Sequence, residues 1–296
     1  HPYGYWKDTG VRLEGDAVRS LTVMFLEMWN AIKGTDTDYT PYFLQDGAQP
    51  HEAGLAGSVA EGTLVRAADA NIAADSASGF VQPYADSPLD GEPVGENVYM
   101  GVVKAASEYV YFTTPYLIIS DEMSRELCLA AKRGVDVRIV TPGIPDKKLV
   151  YRVTRSYYAQ LASAGVRIFE YTPGFLHAKQ CVSDDVTATV GTINLDYRSL
   201  YFHFENGVFL HRCEAVQKVR EDFEDIFPGV QGSDRAVCGE AVGGDEVWTV
   251  RPASDCTAAV IKMCLGTFSR RGAVASATIY PCAECASSRS IFIVWK

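Results

Sequence analysis

Apolar side chains at Val18, Leu21, Met24, Phe25 and Met28 recur at helical spacing after Asp16, and Gly34 closes the run. This predicts an amphipathic helix, preceded by a polar strand or loop around Val11 to Leu13. Glu27 interrupts the stretch Leu21 to Ile32, which stays well short of the ~18 apolar residues needed to span a bilayer. From Thr35 to Ser78 the pattern weakens, and GAQPHEAGLAGSVAEG at 47 to 62 reads as a loop-rich connection with a boundary near Gly79. Beyond Gly79 the signals become regular. Asn97 to Ser107 has helical periodicity, Tyr109 to Thr113 is β-rich and ended by Pro115, and Ser120 caps a helix that runs to Lys132. Val135 to Thr141 reads as a buried strand, 146 to 164 as a helix ended by Gly165, and Val166 to Tyr171 as the next strand. Strands at 176 to 182, 188 to 190 and 207 to 210 and a closing helix at 214 to 227 complete the pattern. The βαβαβ alternation predicts an α/β fold with a mixed, mostly parallel sheet and helices against its faces.

Composition divides the chain further. The 296 residues include 47% hydrophobic and 22% charged side chains, the balance of a folded protein. The net charge is -10, which excludes a broad electrostatic grip on nucleic acid or on an anionic membrane, so an anionic partner must be bound locally. Residues 228 to 296 carry a net charge of +1, leaving all the acidity to the first 227 residues. Periodicity is lost at the same point, and this tail reads as an atypical appendage for which disorder is open. Five of the eight cysteines lie in it, and the C-x-x-C pair Cys282 and Cys285 is only half of a structural zinc site. Alternating SIFIVW at 290 to 295 reads as a strand or a sticky end. Cys128, Cys181 and Cys213 are isolated in apolar surroundings and read as buried free thiols of a reducing compartment. Three units result: 1-78, 79-227 and 228-296.

The stretch FLHAKQCVSDDVTATVGTINLDYRSLYFHFEN at 175 to 206 carries the candidate chemistry. His177 and Lys179, two residues apart, share one face of a strand, and Asp184 follows at H-x-K-x4-D spacing. A turn at Ser183 to Asp185 would fold the chain back and bring Gly191 to Asn194 near His177. Imidazole, ammonium and amide together suit a phosphodiester: a histidine attacks phosphorus or moves the proton of an oxygen, while Lys and Asn hold the anionic oxygens. A carboxylate is needed behind the histidine. From the residue counts, about 0.01 such matches arise by chance.

These residues resemble the second HKD motif of the phospholipase D superfamily, and more narrowly the bacterial cardiolipin synthases of that type. FTTPYLI, GVDVRIVTPGIPDKKLVY, AGVRIFEYTPGF, FLHAK, SDD, VGTINLDYRS and FHFEN all share in the likeness, which is strong over residues 79 to 227. YWKDTGVRLEGDAVRSLTVMFLEMWN at the start resembles the stretch that follows the first HKD motif. The resemblance implies a phospholipase D-like α/β/α sandwich, with one nearly complete half and the end of the other. It implies catalytic roles for His177, Lys179 and Asp184, a phosphate contact for Asn194, and orientation of the motif histidine by Glu205. It implies no cofactor and no metal. His203 reads as a half-buried strand residue satisfied by a neighbour.

The superfamily uses two such motifs, and no second H-x-K is present: His1, His51, His203 and His211 all lack a lysine two residues on. In two-motif relatives the first histidine is regarded as the nucleophile, so the resemblance implies that His177 is the general acid and base, with the nucleophile's role left open. The chain, which starts at His1 without a signal-peptide pattern, is read as a fragment that starts after the first motif and the membrane helices. The implied substrates are phosphatidylglycerol and other anionic phospholipids, at the bacterial cytoplasmic membrane for the parent enzyme. Membrane contact is expected through segments missing from this chain, and no nucleic acid is expected. Three functions remain open at this point: phosphatidyl transfer to make cardiolipin, hydrolysis by a phospholipase D-type phosphodiesterase, and a half-site that only binds phosphate or lipid headgroups.

Overall fold

The computed structural model describes residues 5–34, 38–43 and 79–232, and a strand at 290–293. Its centre is an eight-stranded sheet. Strand β1 (Tyr5–Lys7), β2 (Val11–Glu14) and helix α1 (Asp16–Lys33) come first. They are followed by β3 (Phe80–Asp86), α2 (Val94–Ala105), β4 (Tyr109–Thr113), β5 (Leu117–Ile118), α3 (Asp121–Lys132) and β6 (Asp136–Pro142). Next are α4 (Lys148–Ser156), α5 (Tyr158–Ser163), β7 (Arg167–Tyr171), β8 (Gly174–Leu176), β9 (Gln180–Ser183) and β10 (Thr187–Gly191). The chain then forms β11 (Leu195–Asp196), α6 (Tyr197–Phe202), β12 (Glu205–His211), α7 (Glu214–Ile226), β13 (Val230–Gly232) and β14 (Ser290–Ile293).

The α/β/α layering follows from strand alternation. On β4, Val110 and Phe112 point into a core shared with α2, α3 and α5, whereas Tyr109 and Tyr111 point into a second core with Val216, Val219 and Phe223 of α7. The sheet is mixed as expected, but it is not mostly parallel: only β4–β6 and β6–β7 are parallel among its seven pairings. Helical crossovers force parallel neighbours only where they occur, and after β8 the connections shorten. β9 and β10 are joined by a hairpin in which Asp184 and Asp185 both have positive φ (53° and 55°), closed by the Val186 amide on the Ser183 carbonyl. That is the pattern of a type I′ turn, which makes the pair antiparallel.

Other boundaries differ in instructive ways. The helix expected over 146 to 164 is two helices meeting at Tyr157, whose hydroxyl-bearing ring is buried. β3, absent from the pattern reading, contains Pro83 and lies at the sheet edge, where a missing N–H disrupts no second ladder. Of the three cysteines only Cys181 is fully buried; Cys128 and Cys213 are half-buried. Cys282 and Cys285 lie outside the described residues. From the tail, Ser290–Ile293 pairs antiparallel with β2.

Residues 5–33, expected as part of a separate remnant, dock on the α/β body. Leu13 and Leu21 enter the core beneath α7, and β1 runs parallel to β8 with Tyr5 opposite Gly174. Glycine is required there, because a Cβ at 174 would collide with the Tyr5 carbonyl. The Lys7 ammonium also pairs with Asp222 of α7. This docking brings Asp8 beside His177.

Candidate active site

His177 follows β8 at the end of the sheet where β4 and β6 finish. Its amide and that of Ala178 both donate to the Lys7 carbonyl, at 2.8 and 3.0 Å. The imidazole Nδ1 lies 2.8 Å from Oδ1 of Asp8, and the ring sits against Trp6 and Phe175. With Nδ1 held by the carboxylate, Nε2 is the ring nitrogen left to face a ligand. Lys179, two residues on, is 7% exposed and its ammonium bonds the His177 carbonyl. Burial pushes its pKa down to about 8, against the pull of the carboxylates of Asp8, Glu205 and Asp196.

The GTIN segment is pinned beside this pair. The Gly191 amide donates to the Lys179 carbonyl (3.1 Å), the Tyr99 hydroxyl to the Ile193 carbonyl (2.8 Å), and the Asn194 amide to the Ser199 hydroxyl (2.9 Å). Leu195 donates to Thr114 Oγ1 at 3.0 Å, which sets β11 parallel to β5. Asn194 is 8% exposed, and its Oδ1 is buried without a partner among the described residues. Asp196 is buried beside it, and desolvation raises its carboxyl above the usual range despite the opposing Arg198.

Two expected roles need correction. Glu205 does not orient His177: its carboxylate accepts from the hydroxyls of Thr192 and Ser199 and lies 3.3 Å from Nδ1 of His203. Its place at the start of β12, across the hairpin, directs it to the GTIN segment. His203 is half-buried and satisfied by Glu205, though in the turn before β12 rather than in a strand. Asp184 is not brought to the site at all. It stands at the other end of β9, about 16 Å from Lys179 at ~3.3 Å per residue. There its carboxylate accepts from the amides of Ser107, Glu108 and Tyr109 and from the Ser107 hydroxyl, at 2.7 to 3.0 Å. Burial raises its pKa, but those bonds outweigh it and the net direction is down. Asp184 thus fastens the hairpin to β4 and so fixes the register that presents His177 and Lys179. Asp184→Ala is expected to cost about 1–2 kcal/mol in chemical denaturation, because it removes the bond to the part-buried Tyr109 amide and places alanine at positive φ. The alkaline titration of Lys179 should be unchanged in the refolded variant.

The family described as "Cardiolipin synthase, PLD-like domain" matches residues 99–227, a span that includes His177, Lys179, Asn194 and Glu205. The chain carries a phospholipase D-like domain of the cardiolipin synthase type. Among similar proteins, an uncharacterized protein of Streptococcus mutans is 46% identical over 223 residues, covering 75% of this chain and 43% of that protein. Cardiolipin synthase 2 of Bacillus anthracis is 33% identical over 223 residues, 75% of this chain and 38% of its own length. Cardiolipin synthase of Halalkalibacterium halodurans is 33% identical over 221 residues, with 75% and 39% covered. The chain therefore spans about two fifths of the length of these relatives.

The sequence reading missed Asp196, inside the matched phospholipase D-like span, and Asp8, outside it. Asp8 lies 169 residues from His177 in sequence, so no local spacing signals their contact. Asp196 and Arg198 were visible only as part of the quoted VGTINLDYRS. Among the described residues no cluster of three or more His, Cys, Asp or Glu side chains is arranged to hold a metal ion. No described helix is long and apolar enough to cross a membrane. Oxyanion binding should follow Lys179. Below about pH 8 the ammonium is charged and above it neutral, so affinity for sulfate, whose own charge is constant here, is expected to fall as pH rises through about 8. Isothermal titration across pH 6 to 9.5 checks this.

Proposed function

We propose that this domain supplies one half of a two-histidine site that makes cardiolipin from two molecules of phosphatidylglycerol. The observation that carries the reading is the Asp8–His177 pair, 2.8 Å apart, beside the buried Lys179. A second histidine, supplied from beyond the 79–232 body, attacks phosphorus and forms the P–N bond. The P–O bond to glycerol breaks, and protonated His177 delivers its proton to the departing oxygen. His177 then takes the proton of the acceptor's primary hydroxyl, whose oxygen attacks phosphorus and releases the second histidine. The Lys179 ammonium and the side-chain NH₂ of Asn194 donate to the non-bridging oxygens through both steps. Asp8 keeps the His177 tautomer and stabilises its imidazolium form. By the same logic Glu205, which does not reach His177, is the carboxylate assigned to the second histidine.

One assay tests this. Phosphatidylglycerol vesicles are incubated with the chain, alone and together with the N-terminal part of the Bacillus anthracis relative that precedes the matched stretch. Cardiolipin and free glycerol in equal amounts, dependent on the added half and on His177, support the proposal. Phosphatidic acid in place of cardiolipin would make water the acceptor and leave a hydrolase. Binding without any product in either case would leave a headgroup-binding half-site.

A further inference from the structure

Helix α4 carries Lys148, Arg152 and Arg155 at i, i+4 and i+7, so three cations form one stripe, with Lys147 just before it. The opposite side is the packed one, where Val153 and Thr154 are buried. Lys147, Lys148 and Arg152 are exposed, and Leu149 stands beside the stripe with 49% of its surface in solvent. The nearby carboxylates are otherwise engaged: Asp146 accepts from the Tyr116 hydroxyl at 2.5 Å, and Glu170 takes Arg155 and the Tyr151 hydroxyl. Among the described residues neither Lys148 nor Arg152 forms an ion pair.

This arrangement opposes the helix that bears it. Like charges at i, i+3 and i+4 repel, and two lysines occupy the positive end of the helix dipole, where no acidic residue and no side-chain cap compensates them. A local rule broken in this way points to a function served elsewhere. In a chain of net charge -10, nine residues from Lys147 to Arg155 hold four cations and no anion. Counter-ions screen the distant acids within about 8 Å at physiological salt, so the stripe acts on whatever lies against it.

Position identifies what that is. The Leu117 amide of β5 donates to Thr154 of α4 at 3.1 Å, and β5 pairs with β11, placing Ile118 opposite Asp196. The Lys147 ammonium lies over the Tyr116 ring, 5.5 Å from its centre. The stripe therefore rims the same end of the sheet as His177. We propose that α4 lies against an anionic lipid surface, its cations on the headgroups and Leu149 at the acyl boundary, so that the bilayer faces the active-site edge. This deepens the reading of phospholipid as the substrate and rests on it. The exposed Leu149 beside the cations favours a membrane over a polynucleotide.

The test is sedimentation of the full chain with phosphatidylglycerol or phosphatidylcholine vesicles at low and high salt. Binding to phosphatidylglycerol alone, lost at high salt, is expected. Lys148→Glu/Arg152→Glu should weaken it at least about tenfold, while Lys104→Glu on α2, which changes the charge by two units rather than four, leaves it near wild type. Arg152→Gln, a milder change, should weaken binding severalfold if the double variant does not fold. His177→Ala should bind vesicles as wild type does, so loss of turnover and loss of docking are read separately. Equal binding to both lipids, full binding by the folded double variant, or preference for a single-stranded oligonucleotide over vesicles would overturn the proposal.

Discussion

His177→Ala is expected to lower cardiolipin formation in the two-part assay by at least about 10³-fold while leaving substrate affinity nearly unchanged. Removal of the group that both donates and accepts the transferred proton forfeits general acid–base catalysis, worth about 10²–10⁴-fold, and also the ordering of the second step. The surrounding structure should tolerate the change. The imidazole is partly exposed, and the clamp on the Lys7 carbonyl uses the backbone amides of residues 177 and 178, which alanine retains. Single-turnover kinetics with phosphatidylglycerol vesicles, together with a thermal melt, separate the lost chemistry from any lost fold.

Asp8→Asn is expected to produce the next largest loss, about 10²-fold or more in kcat with little change in KM. The carboxylate lies 2.8 Å from Nδ1 and fixes that nitrogen as the protonated one, so Nε2 is free to work on the substrate. An amide can turn its NH₂ toward Nδ1, selecting the wrong tautomer, and it offers no charge to balance the imidazolium. Asp8 acts through His177 and is a positioning residue, so a merely structural role must be excluded. Asp8→Glu should restore part of the rate. Asp8→Asn should also remove the low-field signal of the hydrogen-bonded Nδ1 proton in NMR, without a matching fall in melting temperature. Loss of stability equal to the loss of rate would make the pair a structural contact only.

The contrast between Asp8 and Asp184 shows what was legible in the sequence. The short-range pattern carried the α/β repeat from β4 to β7, because each strand there is a run such as YVYFT bounded by helical periodicity. The strand face expected for His177 and Lys179 is instead the connection between β8 and β9, where the Lys179 ammonium bonds the His177 carbonyl. Asp184 satisfied the spacing but not the geometry: five residues along a strand lead away from a site, and its carboxylate serves backbone amides of another element. Asp8 was invisible for the opposite reason. Its contact depends on β1 lying parallel to β8, a pairing between segments separated by about half the chain, and one that a short, half-exposed YWK does not announce. The sheet's antiparallel half was misread because parallelism was extrapolated past the last helical crossover, whereas the two aspartates at positive φ reverse the chain. Glu205 was placed near the right group of residues and assigned the wrong histidine, since strand register decides which side of the hairpin a carboxylate serves.

The most direct measurement is the yield of cardiolipin from phosphatidylglycerol vesicles when the 296-residue chain is combined with the N-terminal part of its Bacillus anthracis relative. Equal amounts of cardiolipin and glycerol are expected from the combined halves, with none from either half alone and none when the chain carries His177→Ala. The same yield from the His177→Ala chain would contradict the account.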